Sequence, residues 1–228
     1  MTKKNALLGL VLMLFTLAAT GCGLLSEPTA PSTELEAAPV AIDEAAGSAG
    51  TAVYVIDSAA SQVRFELDEV LRGNPITVVG STDQVAGEIA LDLNDLSTAQ
   101  VGTIQVNARG LATDNNFRNR AINNEILQTG DYEFITFVPS GIEGLPASAT
   151  VGDTVEFAIN GDLTIRDITQ PVTFNVTATA TSDTQIEGTA GTIVQRGDYN
   201  LIIPSVPNVA DVEEEVELYL DFVANASK

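Results

Sequence analysis

The sequence predicts an all-β fold: an antiparallel barrel of about eight strands with one short helix covering an end. Three observations point there. Apolar and polar residues alternate with period two from residue 53 to residue 222, the pattern of strands with one buried and one wet face. Thr and Val are frequent, and helical spacing is confined to residues 114–127. The alternating segments are joined by short connections, which makes neighbours antiparallel, and closure into a barrel would remove exposed edges.

Residues 52–57 read as the first strand, ended by residues 58–61. Residues 62–71 set Val63, Phe65 and Leu67 against Gln62, Arg64 and Glu66. Gly73, Asn74 and Pro75 break the pattern, which resumes briefly over residues 76–79. Val85, Gly87, Ile89, Leu91 and Leu93 alternate with Glu88 and Asp92, with a bend expected at Gly87. Residues 101–110 carry Ile104, Val106 and Ala108 inward. In residues 114–127, Phe117, Ala121, Ile122 and Ile126 fall at helical spacing behind Asp114, an expected N-cap. Residues 132–138 return to a strand with Ile135 and Phe137 on one face.

The clearest hairpin spans residues 155–179. Phe157, Ile159, Leu163 and Ile165 alternate with Glu156, Asn160, Asp162 and Thr164. Val172, Phe174 and Val176 alternate with Thr173, Asn175 and Thr177, and residues 166–171 make the turn. Residues 184–199 read as a Gly-interrupted, bent strand. Val216, Leu218, Leu220 and Phe222 then alternate with Glu217, Tyr219 and Asp221 in the last strand.

Composition removes whole classes of chemistry. The 228 residues include no His and one Cys, so the commonest general base, a cysteine zinc site and an internal disulfide are all absent. A net charge of −21 speaks against nucleic acid, which is bound through Lys and Arg. It reads as a solubility device or as a surface for a basic partner protein. Paired carboxylates at Asp92 and Asp95, or in residues 211–215, lack a calcium-loop pattern and read as solvated loops. No catalytic residue and no metal ligand is assigned.

The chain opens with Lys3 and Lys4, an apolar run over residues 6–19, and Thr20, Gly21 and Cys22. A basic start, a short apolar core and small residues before a cut make residues 1–21 a secretory signal peptide. Leu17-Ala18-Ala19-Thr20-Gly21-Cys22 resembles a bacterial lipoprotein lipobox, which implies lipidation of Cys22, the mature N-terminus. The other reading is an ordinary signal peptide followed by an unrelated Cys. Residues 22–50, rich in Ala, Pro, Ser and Thr and bare of basic side chains, make a solvated tether, and residues 51–228 form the barrel domain. The expected location is therefore outside the cytoplasm, lipid-anchored to the bacterial membrane, with the domain in the periplasm or on the outer surface of the cell membrane.

Three stretches resemble the YceI-like family, bacterial periplasmic proteins with a lipocalin-like barrel that bind polyisoprenoid lipids. They are Tyr54-Val55-Ile56-Asp57 with Ser61-Gln62-Val63-Arg64-Phe65, then Gly130-Asp131-Tyr132-Glu133-Phe134-Ile135-Thr136-Phe137, then Gly161-Asp162-Leu163-Thr164-Ile165-Arg166-Asp167-Ile168-Thr169-Gln170-Pro171-Val172 with Arg196-Gly197-Asp198-Tyr199 after it. The family's His positions and the Pro before the central strand's Ile are absent here. The resemblance implies a non-catalytic protein that sequesters or carries an isoprenoid, a quinone or a similar long-chain amphiphile, with no cofactor otherwise.

For such a ligand the expected lining is Phe65, Leu67, Ile89, Leu91, Ile104, Val106, Phe117, Ile135, Phe137, Phe157, Ile159, Leu163, Phe174, Leu218 and Leu220. Arg118 and Arg120 are the candidates to meet a polar headgroup, or else form surface salt bridges. The inward residues would equally make the core of a filled barrel, leaving a structural module that binds another envelope protein through its acidic surface.

Overall fold

Side chains that alternate in polarity bury one face when the sheet packs on a second layer or curls around a common interior. A computed structural model describes Leu35, Val40 and residues 50–227. The expected signal peptide, Cys22 and most of the expected tether lie outside the described residues.

Thirteen antiparallel strands form one sheet among those residues. They are β1 (Ala52–Ile56), β2 (Gln62–Leu71), β3 (Asn74–Thr82), β4 (Val85–Ala86), β5 (Glu88–Asp92), β6 (Asp95–Val101), β7 (Ile104–Asn107), β8 (Phe134–Glu143), β9 (Thr154–Ile165), β10 (Ile168–Ser182), β11 (Gln185–Gln195), β12 (Val209–Ala210) and β13 (Glu215–Ala226). Several run in line and act as single staves. β1 and β2 both pair with β13, offset only by a 3₁₀ turn that Asp57 caps. β3, β4 and β5 pair in turn with β2, β7 and β1, and β6 continues into β7.

Eight staves result, each paired with the next in sequence, and β13 pairs back onto the first. The ladder therefore returns on itself as an up-and-down antiparallel barrel. Alternating direction sorts the connections. The turn at Arg72-Gly73, the helical residues after β7, the turn at Arg166-Asp167 and the long strap after β11 share one end, the lid end. The opposite end, the terminal end, holds the remaining turns, the start of β1 and the end of β13, and there Ser227 N–H donates to the Val53 carbonyl.

Several local expectations move. The first turn is Arg72-Gly73, both at positive φ (54° and 81°), as two-residue hairpins require. Pro75 thus lies inside β3, which runs nine residues rather than briefly. Similarly the second turn is only Arg166-Asp167, with Arg166 at φ 58°, and Pro171 sits within β10 opposite Asp162. Both prolines occupy stretches paired on one side only, β3 by β2 and β10 ahead of its first β11 partner at Asn175. Their missing N–H costs no ladder bond there.

β6 emerges as a strand from residues left unassigned, and β8 starts later, at Phe134, but extends to Glu143. Residues 108–110 form a 3₁₀ turn, not strand. The helix α1 (Asn116–Ala121) is six residues long and continues as a π-helical turn, Ile122–Ile126. Its cap is Asn115, whose side chain accepts from Phe117 and Arg118 N–H, while Asp114 instead pairs with Arg118.

Candidate functional site

Inward positions of all eight staves enclose a cavity of about 520 Å³. A close-packed interior leaves few voids larger than a water molecule, so this barrel is hollow. Its size is in the range of small-molecule sites, about 300–1,000 Å³. All fifteen residues named above line it. Val106, Phe137, Ile159 and Leu163 are buried, and Phe137 meets Phe174 edge to face with ring centres 4.9 Å apart. Phe117 differs from the others. It lines the cavity from the lid and is 77% exposed, because α1 lies across the opening instead of inside it.

The space reaches both ends. Leu93, Leu96 and Leu145 bound it at the terminal end, and Leu201, Ile203 and Val206 of the strap bound it at the lid end. Strap residues were missed in the sequence because residues 200–214 carry no alternation. Their apolar run Leu201-Ile202-Ile203, between Asn200 and Pro204, was the available signal. Tertiary contacts hold the strap down: β12 pairs with β2, and Arg72 N–H donates to the Asn208 carbonyl at 2.8 Å.

Polar side chains reach this lining mostly at the lid end, among them Glu69, Arg72, Asn115, Arg118 and Arg196. Glu69 is the informative one. It falls on the inward phase of Leu67 and Leu71, where a carboxylate is misplaced unless paired. Arg118 from α1 supplies the partner at 3.1 Å and also holds Asp114 at 2.7 Å. Arg120 is not part of the lining; its guanidinium lies over the Phe117 ring, 4.6 Å from the centre.

The other lid-end arginines fasten the cover. Arg109 donates to the Thr129 carbonyl at 2.9 Å, and Arg166 donates to the Ile126 carbonyl at 3.4 Å, at the end of the π-helical turn. Arg196 bridges Glu214 and donates to the carbonyls of Leu201 and Glu213, tying both ends of the strap. The paired-carboxylate candidates serve turns: Asp92 accepts from Asn94 N–H and Asp95 from Ser97 N–H. Among the described residues no cluster of His, Cys, Asp and Glu could hold a metal ion.

Removing Arg118 would strand Glu69, whose side chain is 8% exposed. Arg118→Met is expected to cost about 2 kcal/mol, less than a fully buried pair because the rim is open to water. Glu69→Gln should cost less, since no charge is left without a partner. Urea unfolding of the two variants checks the order, and equal losses would contradict it.

Tyr199 closes the 3₁₀ turn Arg196–Tyr199, is 1% exposed, and its hydroxyl has no hydrogen-bond partner. Burial, and secondly the Asp198 carboxylate, push its phenol up to about 12. The folded protein therefore keeps this proton where an unfolded chain, with a phenol near 10.0, releases it. Stability is complete below pH 10 and declines as pH rises toward 12. Tyr199→Phe should remove that part of the alkaline loss and gain about 1 kcal/mol at neutral pH by eliminating an unpaired buried hydroxyl. Denaturant midpoints measured from pH 7 to pH 11 test both expectations.

Comparison with known proteins places this barrel. A polyisoprenoid binding domain from Saccharophagus degradans, implicated in plant cell wall breakdown, superposes with a TM-score of 0.61 at 14% identity, over 76% of this chain and 98% of that one. Burkholderia cenocepacia BcnA gives 0.60 at 19% identity, over 75% and 99%. A UPF0312 protein of Staphylococcus aureus strain USA300 is 27% identical over 152 residues, 64% of this chain and 78% of the relative. The model of the YceI-like domain matches residues 54–224, from β1 to β13, and the chain belongs to that family.

Proposed function

We propose that this protein binds a long-chain isoprenoid, a quinone or a related amphiphilic lipid inside its barrel, without catalysis, and sequesters or carries it in the bacterial envelope. The observation that carries this reading is the apolar cavity of about 520 Å³ that extends from the terminal end to the lid. An apolar tail seated there gains roughly 25 cal/mol for each Å² withdrawn from water. The polar groups gathered at the lid end favour a ligand whose headgroup lies there and whose tail points inward. The Saccharophagus degradans domain of similar fold, named for polyisoprenoid binding, supports the same class of ligand.

We further propose that Cys22 is lipidated and holds the domain on the membrane, outside the cytoplasm. Cys22→Ser should then move the protein from the membrane fraction to the soluble one. The interaction-module alternative needs an interior filled by its own side chains, and the cavity counts against it.

Organic extraction and mass spectrometry of residues 23–228, purified natively without detergent, test the binding. A near-stoichiometric prenyl lipid is expected. An empty extract together with failure to take up added polyprenyl lipid would overturn it.

A further inference from the structure

A prenyl tail cannot cross water unaided, so a barrel that takes one up must bring its mouth to the lipid phase. We propose that the lid end is a membrane-docking surface, with Phe117 of α1 and Ile202 of the strap as its two apolar anchors. This rests on the lipid-binding reading above.

Phe117 and Ile202 are the two most exposed large hydrophobic side chains among the described residues, at 77% and 76%. They come from elements far apart in sequence that meet at one opening: Phe117 lines the cavity, and Ile202 lies between two lining residues, Leu201 and Ile203. Val206, also exposed, lines the same mouth. Arg120 lies over the exposed Phe117 ring, an arrangement suited to a cation at headgroup level above an inserted aromatic.

The surroundings favour a bilayer over a second protein. A protein interface concentrates apolar contact in a core depleted of charge. Here the anchors are discrete and stand among charges, with Asp114, Arg118 and Arg120 beside Phe117, and Asp211, Glu213 and Glu214 on the strap. Because carboxylates accompany the arginines, apolar insertion and not attraction to anionic lipid supplies the binding.

The anchored end does not prevent this contact. Val40 N–H donates to Glu88 near the terminal end, at 3.0 Å. Seventeen residues lie between it and Cys22, and the eighteen steps of chain reach at most about 65 Å. The twelve residues of β13, tilted as barrel strands are, span about 30 Å. An anchor at Cys22 therefore allows the lid end to turn onto the membrane that holds it.

Because the sequence has no Trp, one introduced Trp is a clean reporter. In residues 23–228, Ile202→Trp should show blue-shifted emission on phosphatidylcholine vesicles, lost when the lipid is brominated. Val151→Trp, in the connection between β8 and β9 at the terminal end and 47% exposed, should show neither change. Ile202→Ser, at a position that does not line the cavity, should lower the vesicle-bound fraction about tenfold while leaving prenyl-lipid uptake from detergent unchanged.

No shift for Ile202→Trp, an equal shift for Val151→Trp, or binding that needs phosphatidylglycerol and vanishes in salt would each overturn the docking surface. So would an oligomer that Ile202→Ser dissociates without changing vesicle binding. A docking failure with prenyl lipid still recovered from the barrel leaves the ligand reading intact. A Trp shift with an empty barrel sinks that reading alone.

Discussion

Ala190→Phe is expected to reduce prenyl-lipid uptake more than tenfold while changing stability by less than about 1 kcal/mol. Ala190 lies on the inward face of β11, opposite Val176 of β10 and Leu220 of β13, and all three line the cavity. The phenyl group added there projects into space that the ligand tail would fill. In a packed core the same overfilling would cost about 1–3 kcal/mol, because neighbours would have to leave their rotamers. Tolerance of Phe therefore reports a hollow barrel, and loss of uptake reports that the hollow is where the lipid sits. Ala178→Phe, on the neighbouring strand, should behave in the same way. Titration with a fluorescent polyprenyl analogue, alongside urea unfolding, gives both readings. A large loss of stability in both variants would mean that the interior is effectively full.

Gly188→Ala is expected to destabilise the barrel by about 3 kcal/mol, by a different route. Gly188 lies on β11 between Ala178 of β10 and Phe222 of β13. A methyl group there would stand 2.4 Å from the Thr177 carbonyl oxygen and 2.9 Å from Ala178 Cα. Backbone atoms cannot rotate aside, so β10 and β11 must separate or the register must give. Gly141→Ala is the control. A methyl at Gly141, beside the irregularity in β8, meets nothing within 4 Å, and it should stay within about 0.5 kcal/mol of the parent. Equal urea midpoints for the two variants would show that the contact at Gly188 relaxes freely.

These two positions differ in how far they could be read in advance. The inward phase of Ala190 follows from alternation, since each strand residue faces opposite to the next. The crowding at Gly188 depends on which backbone lies across from it, a long-range fact. The same contrast runs through the site. Phe65, Ile104, Leu163 and Leu218 were legible as lining because the period-two pattern assigns them a face. Phe117 was legible as helical but not as a rim residue, because its exposure depends on α1 lying across the opening. Glu69 was not singled out in the sequence, although it is a charge on the apolar phase of its strand, and its partner Arg118 is 49 residues away. The turn positions were displaced because Arg72 and Arg166 take positive φ, which the strand pairing on either side imposes and residue type does not advertise.

By itself the sequence determined the all-β class, the inward and outward faces, the absence of histidine chemistry and a short helix among strands. All of these follow from residue type and spacing along the chain. Closure of the barrel, the strap over its mouth and the empty interior were decided only in the tertiary structure. The physical reason is that an inward Leu or Phe looks the same along the chain whether it meets a neighbour or a void. Only the circumference set by eight staves, with β13 returning to β1 and β2, leaves more room than the side chains can fill.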